Sequence, residues 1–286
     1  MKIVNSSPDE PVAASRLVSV PAVGGTSGRP VVEAVIRALR LLDCFEHGRP
    51  EMTLTEFVRR SGFSKTTTYR LLVTLEHAGW LERTPAGAFR LTIRAFQLGT
   101  VLVDSLELRR EAGPVMAELA ASYGDTVYLV VPSGAAAVCL ERIDSGQAIR
   151  IMDLDVGGSQ PLHLGAGPRA LLAFRESEFL PLVVASGLRA STPASIVDLE
   201  ALRVDLQQSR ERGYTVSRGD MTSGIGAVGA PVFDRSGLTV AAISIGGQLE
   251  RFERERMEDV ARGLVDACGR LSVRLGYRSS ALAPTS

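Results

Sequence analysis

The chain has 286 residues and a mass of 30.5 kDa, which exceeds one typical domain and suits two. Hydrophobic residues make up 45% and charged residues 22%, so the chain can bury hydrophobic cores and does not have the composition of a disordered protein. Basic and acidic residues both number 32, and this balance excludes a uniformly basic protein that coats nucleic acid. The longest uncharged stretch, residues 126–140, is broken by a turn signal and is too short to span a membrane, so we expect no membrane partner.

The ends of the chain and its cysteines indicate the surroundings in which it works. Residues 1–29 are rich in Ser, Pro, Gly and Ala without the apolar centre of a signal peptide, and we interpret them as a flexible tail. Residues 278–286 form a second, short tail. Cys44, Cys139 and Cys268 lie far apart and form no CxxC pair, which argues against disulfides and structural zinc. We expect a cytoplasmic protein in which each cysteine is a small buried hydrophobe.

Residues 30–94 carry the pattern of a winged helix-turn-helix domain. Apolar residues at helical spacing predict a first helix over residues 31–46. Thr53 and Glu56 form a capping box that opens a short second helix, which ends near Gly62. Ser64 can cap a third helix that ends at Gly79, with an inward face made of three leucines: Leu71, Leu72 and Leu75. Residues 80–83 and 88–91, joined by a Pro- and Gly-containing turn, predict a hairpin that forms the wing.

The third helix carries side chains suited to a DNA groove. Residues 57–75 hold four basic groups and no acidic one, although such a cluster is also compatible with a plain solvated helix face. Hydroxyl groups bind phosphates and base edges, a threonine methyl contacts thymine, and cations attract the DNA backbone. The predicted DNA-binding residues are six from this helix and its cap and two from the wing: Ser64, Lys65, Thr66, Thr67, Tyr69, Arg70, Arg83 and Arg90.

The rest of the chain predicts a linker helix over residues 95–108 and a larger domain over residues 109–277. Leu98, Val101, Leu102 and Leu106 lie on one face of the linker helix. In the larger domain we predict strands over residues 127–131, 137–140, 149–154, 228–233 and 239–245, and helices over 109–123, from Gly167-Pro168, over 195–212 and along the apolar stripe from Met257 to Leu275. Helices that flank hairpin-joined strands indicate an α+β domain rather than a doubly wound parallel sheet.

Two features that resemble chemical motifs have simpler interpretations. Gly224, Gly226 and Gly229 match G-x-G-x-x-G, but the pattern of the following residues is that of a strand, whereas a dinucleotide fingerprint opens a helix. We interpret these glycines as sites of close backbone approach to a ligand, or as a strand bulge. His163 has no partner at metal-ligand spacing and is expected to be structural. No catalytic motif is recognisable, so we predict no catalytic residue, no metal, no cofactor and no enzyme.

Ordered motifs run through both halves of the chain. The first half contains Leu54-Thr55-Glu56, Ser61-Gly62-Phe63-Ser64-Lys65-Thr66-Thr67, Arg70-Leu71-Leu72 and Leu75-Glu76-His77-Ala78-Gly79-Trp80-Leu81-Glu82. The second contains Pro161-Leu162-His163, Gly165-Ala166-Gly167, Arg210-Glu211-Arg212-Gly213-Tyr214, Ala230-Pro231-Val232 and Ala241-Ala242-Ile243-Ser244-Ile245. In this order the motifs resemble those of the IclR family of bacterial transcriptional regulators over about residues 33–277.

The resemblance implies the architecture and the location of a ligand pocket. It implies a GAF-like α+β effector-binding domain, a homodimer and often a homotetramer. The effector-binding positions of the family correspond to Gly165, Ala166, Asp220, Ile225, Ala227, Ser244 and Gly246. The sequence departs from the family pattern where Pro168-Arg169 replaces Gly-Lys and where Gly246 replaces a second serine, which indicates a different or less polar effector.

These observations predict a DNA-binding transcriptional regulator that responds to a small-molecule effector, expected to be an organic acid or an aromatic metabolite. Its partners are expected to be double-stranded DNA with a roughly palindromic operator, the effector and further copies of itself. Two alternatives remain open. One is a DNA-binding protein whose second domain serves only assembly, and the other is an enzyme or sensor that uses its winged helix for interactions.

Overall fold

The computed structural model describes residues 31–45, 50–105, 107–144, 154–252 and 254–278. Its N-terminal part is built from helices and a small sheet. The elements of this part are α1 (Glu33–Leu42), β1 (Glu51–Met52), α2 (Leu54–Ser61), α3 (Lys65–His77), β2 (Leu81–Arg83), β3 (Phe89–Leu91) and α4 (Ile93–Ser105). Within the described residues, no helix is both long and apolar enough to cross a membrane.

Local capping chemistry sets where α2 and α3 begin, as predicted. The backbone N–H of Thr53 donates to Glu56 Oε2 at 2.8 Å, and the N–H of Glu56 donates back to Thr53 Oγ1 at 3.4 Å. Gly62 ends α2 with a φ of +71°, a conformation that glycine adopts without strain. Ser64 Oγ accepts the N–H of Thr67 at 3.2 Å and so caps α3. The predicted capping box and serine cap are confirmed.

The wing is a three-stranded antiparallel sheet in the order β1-β3-β2, not a simple hairpin. The two-residue strand β1 adds to β3 by pairing Met52 with Phe89. Both side chains are buried in the core of this domain, together with Leu41, Phe57 and Leu72. Helix α1 is shorter than the predicted residues 31–46. Of the three leucines expected to face inward, Leu72 and Leu75 are buried and Leu71 is only partly so.

The larger domain consists of one antiparallel sheet between two layers of helices, which confirms the α+β prediction. The sheet has six strands in the order β6-β5-β4-β9-β8-β7. Its elements are α5 (Glu107–Tyr123), β4 (Thr126–Ser133), β5 (Ala136–Ile143), β6 (Ser159–Pro161), α6 (Ala166–Phe174), α7 (Glu176–Ser186), α8 (Leu199–Arg212), β7 (Thr215–Arg218), β8 (Ile225–Phe233), β9 (Thr239–Gln248) and α9 (Arg254–Arg274).

Alternating side chains of the strands build a separate core on each face of the sheet. Along β4, Val127 and Leu129 contact the α5 and α9 layer, whereas Tyr128 and Val130 point to the layer that contains α6. Each face is therefore covered by helices, and most of the central strands are buried. All three cysteines are free and buried, as predicted.

Several predicted boundaries need correction. The helix expected from residue 195 begins at Leu199, because the side chain of Asp198 caps it by accepting the N–H of Ala201 at 2.8 Å. The helix expected from Gly167-Pro168 begins at Ala166. The strand predicted over residues 149–154 lies outside the described residues, except for Leu154, which is buried and belongs to no strand.

The predicted linker helix corresponds to α4, which starts two residues before the predicted residue 95 and ends at Ser105, so that Glu107 and Leu108 belong to α5 instead. Leu98 on its surface is exposed. The side chains of Val101, Leu102 and Leu106, which were predicted to share a face with Leu98, lie outside the described part.

Candidate functional site

The outward face of α3 presents a compact set of polar side chains to solvent. Lys65, Thr66, Tyr69 and Arg70 are all exposed. Thr68 is fully buried instead, and its hydroxyl donates to the carbonyl of Ser64 at 3.0 Å. Four of the predicted DNA-binding residues therefore share one accessible surface, in the first turns of a helix whose other face enters the core.

Two other predicted residues, Ser64 and Thr67, have a structural task in the helix cap. Ser64 Oγ donates to Thr67 Oγ1 at 2.9 Å while it accepts the backbone N–H of Thr67. These bonds fix the first turn of α3 and so orient Lys65 and Thr66 beside it. Because a hydroxyl has two acceptor lone pairs, each residue can still accept one further hydrogen bond.

The wing arginines are paired with carboxylates. Arg83 lies 3.3 Å from Glu76 and stacks over the ring of Phe89 at 4.7 Å. Arg90 bonds Glu82 on the neighbouring strand and lies 3.6 Å from Glu51. The hydrogen bond to Glu82 raises the pKa of the Arg90 guanidinium.

The cations near α3 differ from those of the wing. Arg59, Lys65 and Arg70 form no ion pair within the described part of the chain. Arg59, in the last turn of α2, is exposed and was not among the predicted site residues, although it belongs to the basic cluster of residues 57–75. Among the described residues, the cations of α2 and α3 named here are therefore free to meet an anionic partner, whereas the wing arginines are already paired.

A pocket with a cavity volume of about 60 Å³ lies in the larger domain, between the start of α6 and the sheet. Six of the seven positions implied for an effector line it: Gly165, Ala166, Ile225, Ala227, Ser244 and Gly246. Eight further residues complete its wall: Tyr128, Leu154, Gln160, Gly167, Pro168, Ser217, Met221 and Thr222. The wall contains a phenol, an amide and three hydroxyl groups, and no lining residue carries a formal charge at neutral pH.

The seventh position, Asp220, lies behind the wall and not in it. Its carboxylate is buried and accepts the Gly165 N–H at Oδ2, 3.0 Å away. Asp220 Oδ1 accepts the hydroxyl proton of Ser217. Asp220 is thus not among the residues that line the pocket, and in this structure it holds two groups that are, Gly165 and Ser217.

Arg169 is the cation that compensates Asp220. It is 2% exposed, and its Nη1 donates to Asp220 Oδ2 at 2.5 Å. Its Nη2 donates to the carbonyl of Val216, and its Nε lies 3.3 Å from Asp205 Oδ2 on α8. One side chain from the first turn of α6 therefore joins β7, α8 and the loop after β7, directly behind the pocket.

His163 is a buried structural residue, as predicted. Its Nε2 lies 3.0 Å from the carbonyl of Arg189, and its Nδ1 has no hydrogen-bond partner among the described residues. Burial lowers the pKa of this histidine, and the nearby guanidinium of Arg169 lowers it further. A neutral ring that donates from Nε2 fits these surroundings.

Two of the G-x-G-x-x-G glycines, Gly226 and Gly229, serve packing within the fold and not the predicted approach to a ligand, and their motif opens β8 instead of preceding a helix. A Cβ on Gly229 would lie 2.5 Å from the carbonyl oxygen of Ala166, so only glycine lets α6 approach the strand this closely. A Cβ on Gly226 would lie 3.1 Å from the side chain of Phe252. The dinucleotide interpretation is excluded by this geometry. Within the described residues there is also no cluster of three or more His, Cys, Asp or Glu that could hold a metal.

Comparisons with known proteins match both halves of the chain. The family described as "IclR helix-turn-helix domain" matches residues 34–85, and "Bacterial transcriptional regulator IclR C-terminal" matches residues 100–273. The chain is 32% identical to the HTH-type transcriptional regulator KipR of Bacillus subtilis, over 86% of this chain and 98% of KipR.

Solved structures agree with these sequence matches. A crystal structure of an IclR transcriptional regulator from Silicibacter sp. is similar with a TM-score of 0.77 and 28% identity, over 88% of this chain and all of that one. A second similar structure is an IclR homolog of Microbacterium hydrocarbonoxydans complexed with 4-hydroxybenzoate, with a TM-score of 0.73 and 25% identity. It covers 85% of this chain and 98% of its own.

Proposed function

The chain belongs to the IclR family of bacterial transcriptional regulators, and from this premise we propose how its helix-turn-helix domain and its C-terminal effector-binding domain act. Helix α3 enters the major groove of DNA with Lys65, Thr66, Tyr69 and Arg70 toward the bases and phosphates. The observation that supports this is the exposed polar face of α3, with cations that no described residue pairs. Because it acts on bacterial DNA, the protein is expected in the cytoplasm.

The protein is proposed to bind DNA as a dimer, or as a pair of dimers, on a roughly palindromic operator. Two helix-turn-helix units on successive turns of DNA require a two-fold assembly. Large apolar side chains are exposed on α1 and α4, and they support self-association through these helices because water-exposed patches of this kind mark interfaces. The most exposed are Val35, Leu39, Ile93, Phe96 and Leu98. Sedimentation of the full chain should give at least twice 30.5 kDa.

The pocket behind α6 is proposed to bind a small organic acid. The backbone N–H groups at the start of α6 and the positive end of its dipole attract an anion without requiring a charged side chain. Ala166 and Gly167 line the pocket at that point, and the hydroxyl of Ser244 beside them makes no hydrogen bond with another described residue. The relative that binds 4-hydroxybenzoate supports an aromatic acid as the first ligand to test.

The main alternative is that the second domain serves only assembly. The pocket argues against this alternative, because a domain of that kind needs no lined cavity beneath a helix N-terminus. The relatives are named transcriptional regulators, which supports a role without catalysis. Effector and DNA are coupled only to the extent that the effector binds the two DNA-binding states with different affinities.

The test is a fluorescence-anisotropy titration of the full chain with DNA from upstream of its own gene. Lys65→Ala/Arg70→Ala should weaken binding at least tenfold and reduce the slope of log K against log salt by about 0.9 for each phosphate that is no longer neutralised. The charge-matched control is Arg203→Ala/Arg262→Ala, which removes two exposed arginines of the other domain and should leave affinity unchanged. Equal losses in both variants would reject α3 as the recognition helix.

The effector is tested in parallel by adding 4-hydroxybenzoate and other small acids. An acid that changes neither the melting temperature nor the DNA affinity of the protein is not the effector.

A further inference from the structure

Ser217 is a hydroxyl in the pocket wall whose proton has a fixed direction. The residue stands on β7, is 4% exposed and lines the pocket. Its Oγ donates to Asp220 Oδ1, so the hydroxyl hydrogen points away from the cavity. A serine hydroxyl has one proton to donate and two lone pairs that accept. Ser217 can therefore offer a ligand only an acceptor as long as Asp220 holds its proton.

The surroundings of Asp220 keep that arrangement in place. Arg169 is buried against Asp220 and donates to its Oδ2 at 2.5 Å, and a carboxylate offers a partner only hydrogen-bond acceptors. The Gly165 N–H occupies the same oxygen at 3.0 Å. Oδ1 is therefore the carboxylate oxygen that remains for Ser217. This oxygen can bind only a hydrogen-bond donor.

Ser244 provides the contrast within the same cavity. It lies on β9 beside the start of α6, where a Cβ built on Gly167 would be 3.0 Å from Ser244 Oγ. Its hydroxyl has no partner among the described residues, so its proton is free to turn toward a ligand. Ser217 lies on the far side of β8 from Ser244, because Ser217 pairs with Ala227 and Ala227 pairs with Gly246 of β9. The pocket thus has donors at the α6 end and a fixed acceptor across the sheet.

We infer that Ser217, oriented by Asp220, selects an effector that carries a hydroxyl donor in addition to its carboxylate. The ligand class is therefore hydroxy acids, with the carboxylate at the α6 amides and Ser244 and the hydroxyl proton on Ser217 Oγ. This rests on the proposed function, because it assumes that the cavity binds an acid. In this arrangement Asp220 is a positioning residue, which acts on the ligand through Ser217 without touching it.

The experiment is calorimetric titration of the full chain with matched pairs of acids. The pairs are 4-hydroxybenzoate with benzoate, and glycolate with acetate. If a pair binds, its hydroxylated acid should bind about five- to tenfold more tightly than the acid without the hydroxyl, because one net hydrogen bond contributes about that factor. In Ser217→Ala this ratio should fall to about one, while the affinity for the member without the hydroxyl stays within about twofold of the wild-type value. The control is Ser244→Ala, which should weaken both members of a pair equally and leave their ratio intact.

Asp220→Asn tests the orientation itself. The asparagine oxygen can still accept from Gly165 and Arg169, so its NH₂ group faces Ser217 and donates to it. Ser217 would then turn its own proton into the pocket. We expect the preference for 4-hydroxybenzoate over 4-methoxybenzoate, which accepts but cannot donate, to shrink. Thermal melting of each variant confirms that it is folded before it is titrated.

The outcomes separate the two proposals. If acids bind but hydroxylated and plain members bind equally in the wild-type protein, the acid-binding function stands and the inference about Ser217 is overturned. If the preference for the hydroxylated acid persists in Ser217→Ala, another group binds the ligand hydroxyl and the inference is again wrong. If no acid of either pair binds, the proposed effector class fails and the assignment of Ser217 fails with it.

Discussion

The two candidate sites are assembled from very different lengths of chain. The polar face of α3 needs only Lys65 to Arg70 and the cap made by Ser64, all within seven consecutive residues. The pocket instead requires Gly165 and Asp220 to meet across 55 residues of sequence. A local site depends on helix propensity and capping, whereas a distributed site depends on the whole sheet being in register.

The two sites also treat charge in opposite ways. Around α3, cations are exposed and unpaired within the described part, which suits a partner that supplies the negative charge itself. Behind the pocket, Arg169 is buried and surrounded by Asp220 and Asp205, so its charge is neutralised within the fold. We infer that DNA is held by free charge and the effector by oriented dipoles, and that variants should affect the two functions separately.

The largest effect is expected from Arg169→Met. This change leaves the carboxylates of Asp220 and Asp205 without their guanidinium, and breaking a buried ion pair by removal of one partner costs about 3–5 kcal/mol. Arg169→Lys keeps the charge but cannot make the same set of contacts, so its loss should be smaller. Urea denaturation measures both losses. The control is Arg262→Met on the exposed face of α9, which should change stability by less than about 0.5 kcal/mol.

A loss below about 1 kcal/mol for Arg169→Met would show that the fold tolerates the two carboxylates without this cation. In that case the pocket wall would not depend on the buried network. Helix α3 should keep its DNA affinity in any Arg169 variant that remains folded, since the network does not reach the DNA-binding domain.

The next largest effect is expected from Gly229→Ala. The new methyl group would lie 2.5 Å from the backbone oxygen of Ala166, which cannot move aside as a flexible side chain would. Overpacking of this kind costs about 1–3 kcal/mol and should also displace the start of α6, which weakens acid binding. The control is Gly113→Ala within α5, where no atom lies within 4 Å of the new methyl group. That substitution should stabilise the protein by about 0.5–1 kcal/mol, as helical Gly-to-Ala changes do. Equal thermal stability of Gly229→Ala and wild type would contradict the proposed close packing.

The same contrast explains which features were predictable from sequence. The capping box of Thr53 and Glu56 and the serine cap at Ser64 need only neighbours three residues apart, and both are present. The short strand β1 has two residues and no sequence signal that distinguishes it from a loop. The start of the helix at Leu199 was missed because Ser195, another good cap residue, uses its hydroxyl to bind the carbonyl of Asp220.

Only some of the pocket residues could be predicted from the sequence. The resemblance pointed to positions such as Ser244 and Gly165 that do line the cavity. It missed Tyr128 and Gln160, because which strands adjoin the pocket depends on the order of the sheet and not on spacing along the chain. Asp220 was assigned to the pocket through the same resemblance, but the buried guanidinium of Arg169 holds it behind the wall. No pattern within one segment reveals a partner 51 residues away.

The smallest effect is expected on the wing. There the pairing of Arg90 with Glu82 is predictable from sequence, because the two residues stand opposite each other in the hairpin. Arg90 would have to leave Glu82 and Glu51 to contact a phosphate, so Arg90→Ala should change DNA affinity less than about twofold. Its salt slope should match that of the wild type, whereas Lys65→Ala should lower the slope by about 0.9. Glu82→Gln frees the guanidinium and should increase affinity, which anisotropy titrations over a range of salt would measure. If Arg90→Ala reduced affinity as much as Lys65→Ala, the wing would also bind the DNA backbone, and the contrast between free and paired charge would not hold within this domain.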